Sequence, residues 1–132
     1  MPQKIVKTTY LGRYQSQTEN PFNNTSIVVD AAKFTPLDLL TSAYNSCILG
    51  TMEYAAKQNN FEISEAKSQV DWDLSEDTTR IGKMDIKISF EKDFSKEQKE
   101  ILETAAKTKC HVGQTLNPNI EKTFEFTYGI TN

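Results

Sequence analysis

The sequence predicts an α+β domain with several strands and one long, apolar helix. Alternating apolar and polar residues with frequent turn residues fill the first part of the chain, and a long apolar segment with a helix-start signal follows. Two further alternating stretches then precede an amphipathic second helix and a last strand. Strands and helices grouped in this way are typical of α+β proteins. The 132 residues are about the length of one domain, so a single domain over residues 1–132 is predicted.

Three short β-prone stretches open the chain. They cover approximately Lys4–Tyr10, Gly12–Thr18 and Ser26–Asp30. Glycine, asparagine and proline residues separate them, with Gly12 in the first turn and Pro21 and Asn23-Asn24 in the second. This pattern predicts a meander of hairpins.

A long helix is predicted from Pro36 to about Gln58. Thr35 suits the N-cap, proline is favoured at the first helical position, and Asp38 complements the positive end of the helix dipole. The first half of this helix carries apolar residues on more than one side, which is typical of a central, buried helix. We therefore expect a partner chain to cover it.

The second half of the chain predicts two strands, a helix and a final strand. The strands cover about Phe61–Leu74 and Arg80–Glu91. Ser95 with Gln98 three residues later forms a capping-box pattern, and the helix that it begins ends near Lys109. A turn over Cys110–Pro118 leads to the last strand, whose alternation places aromatic residues on one face; that strand covers about Ile120–Tyr128.

Composition and charge exclude several classes of function. The net charge is −3 and lysines alternate with acidic residues, so no basic stripe of the kind that binds nucleic acid is visible. No apolar run approaches the roughly 18 residues that a membrane helix needs. The N-terminal residues lack the apolar segment of a signal peptide, which predicts a cytoplasmic protein.

Two cysteines, Cys47 and Cys110, are the first candidates for chemistry. In the reducing cytosol a cysteine pair is more often catalytic, redox-sensing or metal-binding than structural. One histidine and two cysteines cannot supply a complete Cys/His zinc site, so no metal or cofactor is expected. The residues alone leave open that Cys47 is a buried structural cysteine and that Cys110 is incidental.

Three segments resemble proteins of the OsmC/Ohr family. In Phe34–Cys47, a proline, an acidic residue and a pair of large aliphatic residues precede small residues and the first cysteine. Arg80–Ile86 is similar to the strand that precedes the second helix of the family, and Leu102–Leu116 is similar to its C-terminal signature around a second cysteine. The three segments occur in the family order, and the resemblance spans nearly the whole chain, closest to the divergent OsmC-like branch.

The resemblance implies an intertwined homodimer in which antiparallel sheets wrap the long central helices. It further implies a thiol peroxidase for organic hydroperoxides: Cys47 becomes a sulfenic acid and Cys110 condenses with it to a disulfide. An external dithiol, in the organic-hydroperoxide branch typically a lipoyl group, then regenerates both thiols. One alternative is a non-enzymatic stress protein of the same fold that binds an apolar ligand at the dimer interface, with sulfurs too poorly placed for a disulfide and no cation near Cys47. Another is a redox sensor, in which the disulfide forms slowly and alters the interaction with a partner.

The family also uses an arginine and a carboxylate to assist the first cysteine. Arg13 occupies a position similar to the family arginine and would stabilise the thiolate, although a solvated strand charge is the alternative. Leu37 stands where the family acid is expected, and Asp38 follows one residue later, as a catalytic carboxylate or as a partner of the helix dipole. His111 replaces the usual proline beside Cys110, either as a proton acceptor or as an exposed turn residue.

Overall fold

The protein is described here by a computed structural model, which covers residues 5–20 and 25–130. The predicted start of the first strand at Lys4 and the predicted turn residues Pro21 and Asn23-Asn24 lie outside these ranges. The contacts group the residues into two units, 1–41 and 42–132, which are described in turn.

The first unit contains a three-stranded antiparallel meander, as predicted. Its strands pair in the order β1-β2-β3 and comprise β1 (Thr8–Gly12), β2 (Gln15–Thr18) and β3 (Ile27–Val29). The prediction of one strand over Gly12–Thr18 was wrong at its beginning. Gly12, Arg13 and Tyr14 have positive φ angles of 86°, 54° and 61°. Arg13 and Tyr14 form the turn of the first hairpin, between Gly12 at the end of β1 and Gln15 at the beginning of β2.

Helix α1 (Pro36–Gln58) has the predicted bounds, and reciprocal hydrogen bonds define its beginning. The Thr35 N–H donates to Asp38 Oδ2 at 2.9 Å, and the Asp38 N–H donates to Thr35 Oγ1 at 3.2 Å. This is the capping-box arrangement with aspartate at the third helical position. Among the residues described, neither α1 nor any other helix is long and apolar enough to cross a membrane.

Within one chain, α1 is buried along a single face. Tyr44, Ile48, Met52 and Ala56, four residues apart, are at most 1% exposed. The opposite face of α1 is exposed in the single chain and carries Ala43, Ser46, Gly50 and Tyr54; its coverage by a partner chain stays a prediction. The four-residue spacing follows the helical repeat, so one stripe of α1 joins the core of the second unit.

The second unit is built on a three-stranded sheet of order β4-β5-β6. Its strands are β4 (Ala66–Leu74), β5 (Ile81–Phe90) and β6 (Glu121–Thr127). The predicted antiparallel pairing is confirmed for β4 and β5, but β6 runs parallel to β5, which corrects the expectation of purely antiparallel sheets. The physical reason is the helical connection between β5 and β6, because a crossover on one face of a sheet returns the chain in the same direction.

We call the face of this sheet that bears the core its inner face. It carries Met84, Ile86, Ile88 and Phe90 of β5, which are almost fully buried, and their cross-strand partners. Ser68 on this face donates to Asn45 of α1, and Tyr128, which continues it just beyond β6, donates to Glu103. Helix α1 and the second helix, α2 (Lys96–Thr108), therefore pack side by side on one layer of sheet.

A short helix, α3 (His111–Thr115), follows α2 almost directly. The sequence predicted only a turn here, because five residues that include a glycine and two β-branched side chains have low helix propensity. The segment is helical because the Gln114 N–H donates to the Cys110 carbonyl and the Thr115 hydroxyl donates to the His111 carbonyl. Cys110 thereby becomes the N-cap residue of α3.

The capping box of α2 leads to a stability prediction. Ser95 Oγ accepts from the Gln98 N–H at 3.2 Å, and Gln98 Oε1 accepts from the Ser95 N–H at 3.0 Å. Replacing Ser95 by alanine removes the side-chain acceptor of the Gln98 N–H, so we expect the free energy of unfolding to fall by about 1 kcal/mol. Urea denaturation followed by circular dichroism measures this loss, and Ser95→Thr, which keeps the hydroxyl, is expected to retain most of the stability. Equal losses in both variants would contradict the role of the cap.

Candidate active site

The structure brings the two cysteines together. Cys47 lies on α1, half-buried, immediately before Ile48 on the edge of the buried stripe, and Cys110 lies at the junction of α2 and α3, 2% exposed. Both are free thiols, and their side chains form a hydrogen bond with each other. The two cysteines therefore belong to one site, and the alternative of sulfurs placed too poorly for a disulfide stays a prediction.

Backbone N–H groups at the beginning of α3 converge on the two sulfurs. The N–H groups of His111 and Val112 donate to the Cys47 sulfur, and those of Val112 and Gly113 donate to the Cys110 sulfur. On the other side, Thr51 Oγ1 lies 3.9 Å from Cys47 Sγ and donates to the Cys47 carbonyl at 2.7 Å. N–H donors stabilise a sulfur atom best when it is negatively charged.

The environment shifts the pKa values of the two thiols in opposite directions. Burial raises the pKa of Cys47, but hydrogen bonds from the Val112 N–H and from the Cys110 thiol outweigh it, and the pKa lies below its ordinary value of 9.0. Burial and the hydrogen bond to Cys47 together raise the pKa of Cys110. Of the two thiols, Cys47 thus gives up its proton more readily.

The pKa of Cys47 gives a prediction for pH dependence. Its alkylation by iodoacetamide is expected to accelerate as pH rises toward the lowered pKa and to level off below pH 9.0, whereas the urea-unfolded chain keeps accelerating to higher pH. Because the pKa is lower in the folded state, the thiolate contacts contribute stability above the unfolded pKa, and this contribution is lost as pH falls through the folded pKa. Identical alkylation profiles for folded and unfolded protein would contradict the prediction.

Tyr44, Gly113 and Lys122 surround the cysteine pair, and the sequence analysis did not predict any of them as site residues. Tyr44 is 1% exposed, and burial, followed by the charges of Cys110 and Cys47, raises its pKa to about 12. Lys122 of β6 donates to the Gly113 carbonyl at 3.1 Å, and its Nζ lies 5.1 Å from the centre of the Tyr44 ring. The only sequence signal was the alternation of β6, which places Lys122 in phase with Phe124 and Phe126.

The packing of Gly113 against Tyr44 leads to a second prediction. A Cβ atom at residue 113 would lie 3.0 Å from Tyr44 Cε1, closer than ordinary van der Waals contact. We expect Gly113→Ala to displace α3 and to raise the pKa of Cys47, measured as a shift of its alkylation profile to higher pH. Gly82→Ala is the matched control, because its Cβ would lie 2.8 Å from Ser75 Cα in the distant β4-β5 hairpin. That variant should lose stability without moving the profile; a shift in both would contradict the assignment.

A pocket of about 1000 Å³ opens beside Cys47. Gly50, Tyr54 and Ala55 of α1 and Ile101 of α2 form apolar walls. The pocket follows α1 from Cys47 to Gln58, roughly 16 Å at 1.5 Å per residue. The site therefore joins a reactive sulfur to a space that accepts an apolar group.

The remaining predicted site residues have the following positions. Arg13 is exposed in the β1-β2 turn of the first unit, and its role beside Cys47 stays a prediction. Asp38 accepts hydrogen bonds from the Thr35 N–H and Oγ1, and so has a structural role at the beginning of α1. A catalytic role for Asp38 stays a prediction. The His111 side chain is exposed at the pocket rim, and its backbone N–H makes the contact with Cys47. Within the described ranges, no three histidine, cysteine or acidic side chains are grouped so as to hold a metal ion.

Comparisons with solved structures find the same fold. An osmotic stress induced and detoxification response protein, so described, from Psychrobacter arcticus 273-4 is 23% identical, with a TM-score of 0.84 over 96% of this chain and 97% of that chain. An OsmC-like protein from Mycoplasma pneumoniae is 18% identical, with a TM-score of 0.75 and 97% of each chain covered. The organic hydroperoxide resistance protein OhrB of Bacillus subtilis is 22% identical, with a TM-score of 0.68 over 92% of this chain and 97% of that chain.

The sequence comparisons complete this picture. A search of curated proteins finds no match. The family model described as OsmC-like protein matches residues 29–125, which include α1, both cysteines and most of β6. Because the match covers well over half of the chain and the fold agrees, this protein belongs to the OsmC-like protein family.

Proposed function

We propose that the protein is a thiol-dependent peroxidase that reduces organic hydroperoxides. The observation that carries the proposal is the hydrogen-bonded pair of Cys47 and Cys110, in which the pKa of the first thiol is lowered and that of the second is raised. A peroxidase of this kind needs one sulfur as a thiolate nucleophile and a second sulfur within reach to form a disulfide.

In the first half of the reaction, Cys47 attacks the peroxide. The thiolate sulfur forms a bond with one oxygen of the O–O group, the O–O bond breaks, and the organic oxygen leaves and takes up a proton to give an alcohol. The Cys47 sulfur is oxidised to a sulfenic acid while the peroxide is reduced. The N–H groups of His111 and Val112 hold the sulfur in place before the attack.

In the second half, Cys110 resolves the sulfenic acid. Its sulfur forms a bond with the Cys47 sulfur, the S–O bond breaks, and the hydroxide combines with the proton of the Cys110 thiol to give water. An external dithiol, such as a lipoyl group, then reduces the disulfide by two exchange steps and becomes a disulfide itself. The protein returns to its dithiol state without a bound cofactor.

The pocket supports organic rather than inorganic peroxide as the substrate. Its apolar walls accept an alkyl or aryl group while the O–O bond lies at Cys47. Proteins of similar fold are described as organic hydroperoxide resistance proteins in Bacillus subtilis and Elizabethkingia anophelis. At 22% and 14% identity, these similarities establish the fold, and the activity is proposed for this chain.

We also propose that the chain acts as a homodimer. The face of α1 opposite the core is exposed. It carries Ala43, Gly50 and Tyr54, and Glu53 and Lys57 form an ion pair toward its end. Small residues on a helix allow a second backbone to approach closely, and removal of the exposed tyrosine from water stabilises the contact. Light scattering after size-exclusion chromatography is expected to give twice the mass of the 132-residue chain; a monomer at micromolar concentration would contradict this proposal.

The peroxidase proposal is tested by intact mass and thiol counting. Reduced protein is treated with one equivalent of cumene hydroperoxide, and loss of two mass units together with both thiols is the expected result. Catalytic consumption of the peroxide with dihydrolipoamide or dithiothreitol is then measured. No consumption with any dithiol, despite reduced cysteines, would refute the proposal; a disulfide that forms over hours would instead indicate redox sensing.

A further inference from the structure

Lys122 is the one charged residue on the inner face of the second sheet, whose strands are fully described. Its register partner on β5 is Met84, which is fully buried, and the next residues of β6 on that face are Phe124 and Phe126. Lysine is rarely placed on a surface of this kind, because burial disfavours its charged form. The position therefore needs a specific explanation.

The side chain of Lys122 extends toward the cysteine pair. Its Nζ donates to the Gly113 carbonyl at 3.1 Å and lies 5.1 Å from the centre of the Tyr44 ring. Gly113 is the residue whose N–H donates to the Cys110 sulfur. Burial lowers the pKa of Lys122, and the charge of an ionised Cys110 acts against this shift.

The charged and titratable groups around this ammonium come from the two helical segments above the sheet. Helix α1 contributes Tyr44 and Cys47, and the junction of α2 and α3 contributes Cys110 and the exposed His111. On the inner face β4 and β5 carry neutral side chains only. Two polar groups of α2 contact other residues: Lys107 lies over the ring of Phe126, and Glu103 accepts a hydrogen bond from the Tyr128 hydroxyl. Lys122 is thus the cation that the inner face of the sheet places against α3, whose N-cap residue is Cys110.

We propose that Lys122 is a positioning residue for the resolving cysteine, which anchors the Gly113 carbonyl and places a positive charge near the Cys110 sulfur. The assignment rests on the proposed peroxidase function and adds a residue that acts in its second half. Cys110 is nearly fully buried, and its thiolate is costly there. A fixed cation reduces that cost without contacting the peroxide.

The step that Lys122 accelerates is the attack of Cys110 on the Cys47 sulfenic acid. Cys110 loses its proton as its sulfur bonds to Cys47, the S–O bond breaks, and the departing hydroxide takes that proton to form water. Lys122 stays protonated throughout and exchanges neither electrons nor atoms. Its removal is expected to slow disulfide formation more than the first attack, which depends on Cys47.

The first experiment needs no peroxide. In a Cys47→Ser background, the thiolate absorbance of Cys110 is titrated in the ultraviolet, with the matching Cys47→Ser/Cys110→Ser protein subtracted to remove tyrosine ionisation. Lys122→Met and Lys122→Gln are expected to raise the midpoint of Cys110 ionisation by about one pH unit. Lys122→Arg, which keeps the positive charge, is expected to have the same midpoint as the protein with Lys122. Lys99→Met is the control, since Lys99 Nζ also lies over a tyrosine ring, 4.8 Å from the centre of Tyr128, away from both cysteines.

The second experiment follows the resolving step itself. Protein with both cysteines receives one equivalent of cumene hydroperoxide with dimedone, which traps sulfenic acid. Lys122→Met is expected to yield roughly tenfold more dimedone-trapped Cys47 than the unsubstituted protein or Lys99→Met. This factor corresponds to the shift of about one pH unit expected for the Cys110 midpoint. The absence of any oxidation by hydroperoxide, together with a normal midpoint shift in the first experiment, would refute the peroxidase and leave the role of Lys122 near Cys110 intact.

The proposal for Lys122 is overturned if the midpoint of Cys110 is the same in folded Lys122→Met and Lys122→Gln as in the control. Methionine fits an apolar face and matches the length of lysine, so this variant is expected to fold. If it does not, Lys122→Gln, which keeps a donor for the Gly113 carbonyl but has no charge, decides the question alone. A purely structural anchor would leave the Lys122→Gln midpoint unchanged and would equally refute the electrostatic role.

Discussion

Replacement of Cys47 by serine is expected to reduce peroxide turnover at least about a thousandfold. The Cys47 sulfur is the nucleophile in the proposed reaction, and a serine hydroxyl at this position is neither ionised near neutral pH nor able to pass through a sulfenic acid. The backbone N–H groups of His111 and Val112 remain in place but then face a neutral oxygen. Consumption of cumene hydroperoxide with dihydrolipoamide measures the loss.

Cys110→Ser is the matched variant, because it removes the second sulfur and leaves the first. It is expected to consume one equivalent of peroxide at a rate similar to that of the unsubstituted protein, and then to accumulate a sulfenic acid on Cys47 that dimedone traps. No disulfide forms in this variant. Turnover that survives Cys47→Ser, or a first equivalent that disappears with Cys110→Ser, would contradict the assignment of the two roles.

The largest expected effect on stability is that of Phe90→Ala, a loss of about 3 to 5 kcal/mol in the free energy of unfolding. Phe90 is 0% exposed at the end of β5. Its ring stacks on Tyr128 with centroids 5.1 Å apart and meets the edge of Phe94 at 5.5 Å. Truncation removes these contacts and leaves a cavity that the surrounding strands cannot fill without moving.

Urea denaturation gives the loss, and Leu74→Ala provides the control. Leu74 lies at the end of β4 in the same sheet but is 46% exposed, so its truncation is expected to cost less than about 1.5 kcal/mol. Similar losses for both variants would show that the aromatic cluster is not the centre of the core. The result also bears on the site, since α2 carries Cys110 at its end and packs on this cluster through Glu103 and Tyr128.

The helices and strands could be predicted wherever a local signal was strong. Thr35, Pro36 and Asp38 predicted the beginning of α1, and Ser95 with Gln98 predicted that of α2, because capping is a contact between residues three apart. The first hairpin was predicted less well. Arg13 and Tyr14 have positive φ angles that neither residue type favours, so the propensities of these residues did not predict the turn.

The sequence by itself determined the α+β class, the order of the main elements and the identity of the two cysteines as candidates. These depend on local patterns or on residue type, which a single chain displays directly. Only the tertiary structure decided that Cys47 and Cys110 form a hydrogen bond, that α3 directs its N–H groups at both sulfurs, and that Lys122 is the cation on the inner face. Contacts between residues so far apart in the chain arise from packing, and packing also shifts the pKa values of the two thiols in opposite directions.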